Sequence, residues 1–142
     1  MWTGIDPSKW AAKTEDNLDL AVRKIALEMF SRIILKSPVD TGRFRANWSV
    51  GVGSIPSGTI ELNDKTGIAT INKVSADLAG VKAGDVITLA NNLPYGPSLE
   101  DGRGYRDGKM RGSKKAPNGM VALTMQEFES VVAKIGLEVV KL

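Results

Sequence analysis

Apolar positions along this chain fall into two long helical stripes and two β-rich runs, with glycine clusters between them. Leu18, Val22, Ile25, Met29 and Ile33 recur at three- and four-residue steps, and Ala21, Ala26, Phe30 and Ile34 widen the stripe. This spacing predicts a helix at about 15–36, capped by Thr14 or Asp16. Glu15 and Asp19 suit the positive end of its dipole, and Arg32 and Lys36 the negative end. Pro38 stops it, because the residue before a proline is pushed out of the helical region. Residues 1–13 read as an extended N-terminal arm. Met120, Leu123, Phe128, Val131, Val132 and Ile135 predict a second helix at about 119–135, opened by Asn118 and closed by Gly136. Leu137 to Val140 either lengthen that helix or form a last strand.

Between the helices the period changes. Phe44 to Val52 alternates apolar and polar residues and predicts a strand with one buried face. Gly51, Gly53, Ser54, Pro56, Ser57 and Gly58 mark a loop, and residues 59–62 admit a short strand. Ile68, Ile71, Val74 and Leu78 return to helical spacing, with Asp64 or Thr66 as cap and Gly80 as stop, so a helix is expected at about 66–79. Asp85 to Ala90 is a β-rich run entered by a Lys82-Ala83-Gly84 turn. Residues 96–118 hold five glycines and read as a long loop, of a length usually functional or disordered. Together these elements predict one α+β domain over residues 1–142. In it, a small antiparallel sheet, with strands near 44–52 and 84–91, is packed on one face by the two long helices.

Composition narrows the chemistry. The chain has 142 residues, no cysteine and no histidine. Disulfides, thiolate metal sites, thiol catalysis and the commonest general base are therefore excluded. No metal and no cofactor is expected, and the protein is not expected to be an enzyme. No apolar run approaches the roughly 20 residues of a membrane span, and the N-terminus lacks the pattern of a secretory signal. The net charge of +3 is concentrated in residues 96–118, where 6 basic side chains face 3 acidic ones.

Four constellations invite chemical readings. Asp40-Thr41-Gly42 is the triplet of aspartic proteases, which use two such aspartates sharing a proton. Here it follows Lys36-Ser37-Pro38-Val39 and precedes the cation Arg43, a context better suited to a turn in which Asp40 and Thr41 bond the backbone and Gly42 takes a positive φ. Leu78 to Ile87 looks like a segment of peptide-binding PDZ domains, but the carboxylate-binding loop of such domains is missing, so a helix end, glycine turn and strand start suffice. Arg103, Arg106, Lys109, Arg111, Lys114 and Lys115, interleaved with Tyr105 and glycines, suggest a nucleic-acid-binding loop over residues 103–115. Glu100, Asp101 and Asp107 dilute it, and one tyrosine is a thin stacking platform. Glu15/Asp16 and Glu127/Glu129 read as helix-surface pairs.

Three blocks stand out: Ser37-Pro38-Val39-Asp40-Thr41-Gly42-Arg43-Phe44-Arg45-Ala46-Asn47-Trp48, then Asn91-Asn92-Leu93-Pro94-Tyr95 through Glu100-Asp101-Gly102, then Ala116-Pro117-Asn118-Gly119-Met120-Val121. Together they resemble tail-completion and minor tail protein Z-like families of tailed-phage neck proteins. With the helices around them they cover about residues 15–135. Arg103 to Gly112 depart from the family pattern as an insertion. The resemblance implies an α+β protomer that forms a hexameric ring in the virion neck, between the head connector and the tail tube or tail terminator protein. It also implies assembly in the host cytoplasm and a channel through which DNA passes. Under it, Asn92, Pro94, Tyr95 and Glu100 are expected at an inter-subunit surface, since tyrosine is a favoured interface anchor. Arg103, Arg106, Lys109 and Arg111 would then meet a neck partner or contact channel DNA non-specifically. The competing reading is a small nucleic-acid-binding protein that uses the 103–115 loop.

Overall fold

A computed structural model describes residues 7–140. It is an α+β protein: among the described residues helices surround one small antiparallel sheet and a separate hairpin, ten elements in all. Helix α1 runs Pro7–Lys36, so residues 7–13 belong to the helix and not to an extended arm. Pro7 stands in its first turn, where a missing N–H costs nothing. The sequence offered no apolar period before Leu18 to reveal these added turns.

The expected strand over 44–52 divides in two. Arg43–Ala46 is a single helical turn, α2, and only Trp48–Val52 forms strand β1. Helix α3 spans Ile68–Leu78, opened by the Asp64 side chain. Strand β2 spans Ile87–Asn91 and pairs antiparallel with β1, Trp48 opposite Asn91 and Val52 opposite Ile87. No strand forms at 59–62 within the protomer.

The segment expected as a long loop is structured. Gly96–Glu100 is a short helix, α4, and Gly104–Arg106 and Lys109–Arg111 are strands β3 and β4 of a hairpin. Asp107 and Gly108 connect them with φ of 54° and 74°. Two successive positive φ values are what a two-residue turn needs to match strand twist, and Asp-Gly is a preferred pair for it.

The expected 119–135 helix is also two pieces, α5 at Val121–Met125 and α6 at Phe128–Val140. Neither glycine nor proline sits at the break. Instead Glu127 is drawn to α1, where Arg32 and Lys36 both hold its carboxylate and Lys36 also donates to the Thr124 hydroxyl at 2.9 Å. These partners hold the Glu127 carboxyl below the usual carboxylate range, Lys36 contributing most and Arg32 next.

Two apolar clusters result. Ile33, Ile34, Phe44, Trp48, Val74, Leu78, Val81, Leu93, Ala116 and Met120 form the larger, into which α1, α3, both sheet strands and the start of α5 all feed. Met29, Val131, Ile135 and Val139 form the smaller, completed by Leu20, Ala21, Ile25 and Phe30. The second cluster is purely α1 against α6, so α6 packs on the other long helix and not on the sheet. Phe30 borders both clusters, which explains the width of the α1 stripe. Leu18 and Phe128, counted on the apolar stripes, lie exposed.

Candidate functional site

The first sequence block is a turn built from its own backbone and side chains. Ser37 donates its hydroxyl to Ile33 O at 2.9 Å and accepts the Trp48 indole N–H at 2.8 Å, so the helix end and the first strand share one buried oxygen. Arg45 donates to Leu35 O at 3.0 Å, to Ser37 O at 2.8 Å and to Lys65 O at 2.7 Å. A guanidinium thereby satisfies carbonyls at the negative end of α1, the role a C-cap usually fills.

Gly42 has φ 90°, and a Cβ there would lie 2.6 Å from the Asp64 backbone. Its carbonyl accepts from both Ala46 N (3.0 Å) and Asp64 N (2.9 Å). Thr41 supplies the side-chain oxygen of the turn, accepting from Arg43 N at 3.3 Å, while Asp40 stands exposed. Gly42 has the positive φ expected of it and Thr41 the expected backbone bond, whereas among the described residues no hydrogen bond of the Asp40 side chain supports the turn.

Asn47 accepts from Ile60 N at 2.7 Å and donates to Ile60 O at 3.0 Å and Arg43 O at 2.7 Å. Asp64 accepts from Thr70 N–H and hydroxyl, Gly67 N–H and the Thr66 hydroxyl. Burial alone would push its carboxyl up; these hydrogen bonds outweigh burial and hold the pKa below the ordinary value.

The second and third blocks meet at a crossing of backbones. Glu100 Oε2 accepts from Met120 N (3.0 Å) and Val121 N (2.9 Å), and Oε1 accepts from Ala122 N (2.9 Å). One carboxylate twenty residues upstream therefore takes the place of the Asn118 cap expected for this helix. A Cβ on Gly102 would stand 2.3 Å from Pro117 O, and one on Gly119 2.3 Å from Glu100 O. Both glycines have positive φ, 85° and 82°, so the crossing demands glycine on steric and conformational grounds. Arg103 N donates to Pro117 O at 2.9 Å and closes it.

The expected interface residues separate accordingly. Glu100 works inside the protomer. Asn92 is exposed but ties Pro56 O at 3.0 Å. Pro94 is exposed, and Tyr95 is 42% exposed with its ring centroid 5.7 Å from that of Phe44. Arg106 donates to Ser98 O (3.2 Å) and Gly102 O (3.0 Å), Arg103 to Gly112 O (3.1 Å), and Arg111 to Arg106 O (3.3 Å). Lys109 is exposed at the hairpin tip. Three of the four cations expected to reach out for a partner thus also fasten the hairpin to itself and to the body.

An open concavity of about 410 Å³ is lined by Pro38 to Phe44, Tyr95, Leu99, Ser113 and Lys115. Lys115 spans from it to Val39 O at 2.6 Å, and a second shallow hollow of about 420 Å³ lies beyond. Among the described residues no three or more acidic side chains gather as a cation site. Nor is any helix long and apolar enough to cross a membrane.

Sequence reasoning missed Arg45, Asn47, Asn91 and Glu127 as organising side chains. Asn91 donates to Phe44 O at 2.8 Å and so joins the first two blocks. Their long-range partners lie 8 to 95 residues away in the chain, and of the four only Arg45, Asn47 and Asn91 fall within the three blocks. Comparison of the chain with protein-family models, with curated proteins and with solved structures found no match.

Proposed function

We propose that this protein is a structural subunit of the tailed-phage neck, a ring-forming tail-completion or head–tail joining protein that links the tail tube to the head connector. The observation that carries the reading is the convergence of the three resembling blocks. The 37–48 turn, the 91–102 segment and the 116–121 helix start fold onto one another through Asn91–Phe44, Glu100–Met120 and the Gly102/Gly119 crossing.

The surface agrees with an assembly role. The hollows are open, and Tyr95, Tyr105, Met110, Ile55, Leu62 and Val86 present apolar area to solvent. Open hollows of this kind suit contacts with neighbours more than enclosure of a small molecule. In this reading the virion neck is the site of action, and a closed ring of identical subunits is the working form. The nucleic-acid reading is weaker, because Arg103 and Arg106 already donate to carbonyls of their own protomer.

Electron microscopy of the purified protein, alone and mixed with tail tubes, tests the proposal. Rings of uniform diameter that seat on tube ends are expected. A protein that stays monomeric at all concentrations and binds no tube end, while binding DNA with a steep salt dependence, would overturn it in favour of the alternative.

A further inference from the structure

Strand β2 has an open edge. Gly53 N donates to Val86 O at 2.8 Å, which sets the phase of the β1–β2 ladder. In an antiparallel ladder alternate residues turn both backbone groups to the same side, so Ile87 and Leu89 turn theirs away from β1. Among the described residues no hydrogen bond reaches these groups. From Val86 to Asn91 the edge carries no charge, no proline and no bulge, the devices that usually keep an edge from pairing.

The segment held by Asn47, the residue just before β1, has the complementary deficit. Thr59 to Leu62 has strand-like alternation but no strand partner. Both backbone groups of Ile60 are taken by the Asn47 carboxamide, which binds them as a neighbouring strand would. In a strand-like run the N–H and C=O of Thr59 and Glu61 point away from Asn47, and among the described residues no hydrogen bond reaches them.

We propose that the 59–62 segment of one copy adds to the free edge of β2 in the next copy, as a third, antiparallel strand. This deepens the ring assembly proposed above and rests on it. Pairing outward residue with outward residue puts Thr59 opposite Leu89 and Glu61 opposite Ile87. The same register puts Leu62 opposite Val86. These two side chains are 65% and 71% exposed in the protomer, and the pairing covers both. Donor segment and acceptor edge are different surfaces, so the contact is head-to-tail and propagates around a ring. The side-by-side strands supply backbone hydrogen bonds, while Leu62 on Val86 and Ile60 on Thr88 fix the register.

Cysteine cross-linking tests this on a clean background, since the native chain has none. Leu62→Cys and Val86→Cys are both at exposed positions. After mild oxidation the double variant is expected to give a ladder of species beyond the dimer on non-reducing gels, and each single variant none. Dimers from Val86→Cys alone would mean that β2 pairs with itself and would overturn the proposal. Rings seen by electron microscopy with no cross-link in the double variant would overturn it and leave the ring reading standing; the absence of both rings and cross-links would overturn both. As a second measurement, Thr88→Lys places a charge on the edge. It is expected to shift the protein to monomers in light scattering with unchanged circular dichroism, and unchanged assembly of that variant would also overturn the proposal.

Discussion

The crossing of residues 100–102 with 117–122 and the free edge of β2 are opposites built from the same material. At the crossing, one carboxylate meets three helix-start N–H groups, and Arg103 N meets Pro117 O. Two glycines admit carbonyls that a Cβ would strike at 2.3 Å. Along β2, in contrast, the outward backbone groups of Ile87 and Leu89 have no hydrogen-bond partner among the described residues. The first region is chemically closed and holds the fold; the second is open and has polar valence left for another chain. The comparison teaches that a motif-rich segment can be about folding, while a plain run such as Ile87-Thr88-Leu89-Ala90 is where unused backbone groups lie, the groups proposed above to meet the next copy.

The hardest blow to the closed region is Gly119→Val. It adds strain at a positive φ to a collision with Glu100 O, and a loss of about 3–5 kcal/mol is expected. Urea denaturation reads this directly; an unchanged midpoint would mean that the crossing is not tight. Next comes Glu100→Ala, which strips three N–H groups of their acceptor and is expected to cost about 2–3 kcal/mol. Glu100→Gln keeps one oxygen and should fall between the two. Equal stability of Glu100→Ala and the native protein would refute the capping role.

Asp64 gives a pH test of the same closed framework. Its folded pKa lies below its unfolded value, so the unfolded state binds more protons in the interval between them. The stabilisation is complete above the unfolded value near pH 4 and is lost as pH falls through the folded value. Melting temperatures of Asp64→Asn should therefore be lower than native at neutral pH and should vary less below about pH 4. Parallel pH curves for the two proteins would contradict this.

The open regions should respond the other way. Tyr95→Ala is expected to lower stability by about 1 kcal/mol or less, since the ring is part exposed and loses one contact with Phe44, yet to impair ring formation or tail joining. Normal joining by this variant would remove Tyr95 from the interface. The smallest effect on stability belongs to Tyr105→Ser at the exposed hairpin face, expected within about 0.5 kcal/mol of native. A larger loss by thermal denaturation would show that the hairpin packs on something in the protomer.

Sequence alone determined the local and periodic parts of this protein. Stripes at three- and four-residue steps located α3 and most of α1, the second half of the 44–52 alternation located β1, β-branched residues located β2, and Asp64, Gly42 and Pro38 marked a cap, a turn and a helix end where the chain has them. Each of these is set by neighbours within about a turn or a strand, so the signal survives in one dimension. Tertiary structure decided the rest. The break between α5 and α6 comes from Arg32 and Lys36 on another helix, and the cap of α5 from Glu100. The split of the core arises because α1 offers two faces to two different partners. The hairpin was the exception: Asp107-Gly108 did announce it, but the surrounding glycines and cations masked the short alternation on either side. Partnerships across tens of residues leave no period in the sequence, because what selects them is satisfaction of polar groups and burial in three dimensions, and those exist only once the chain has folded.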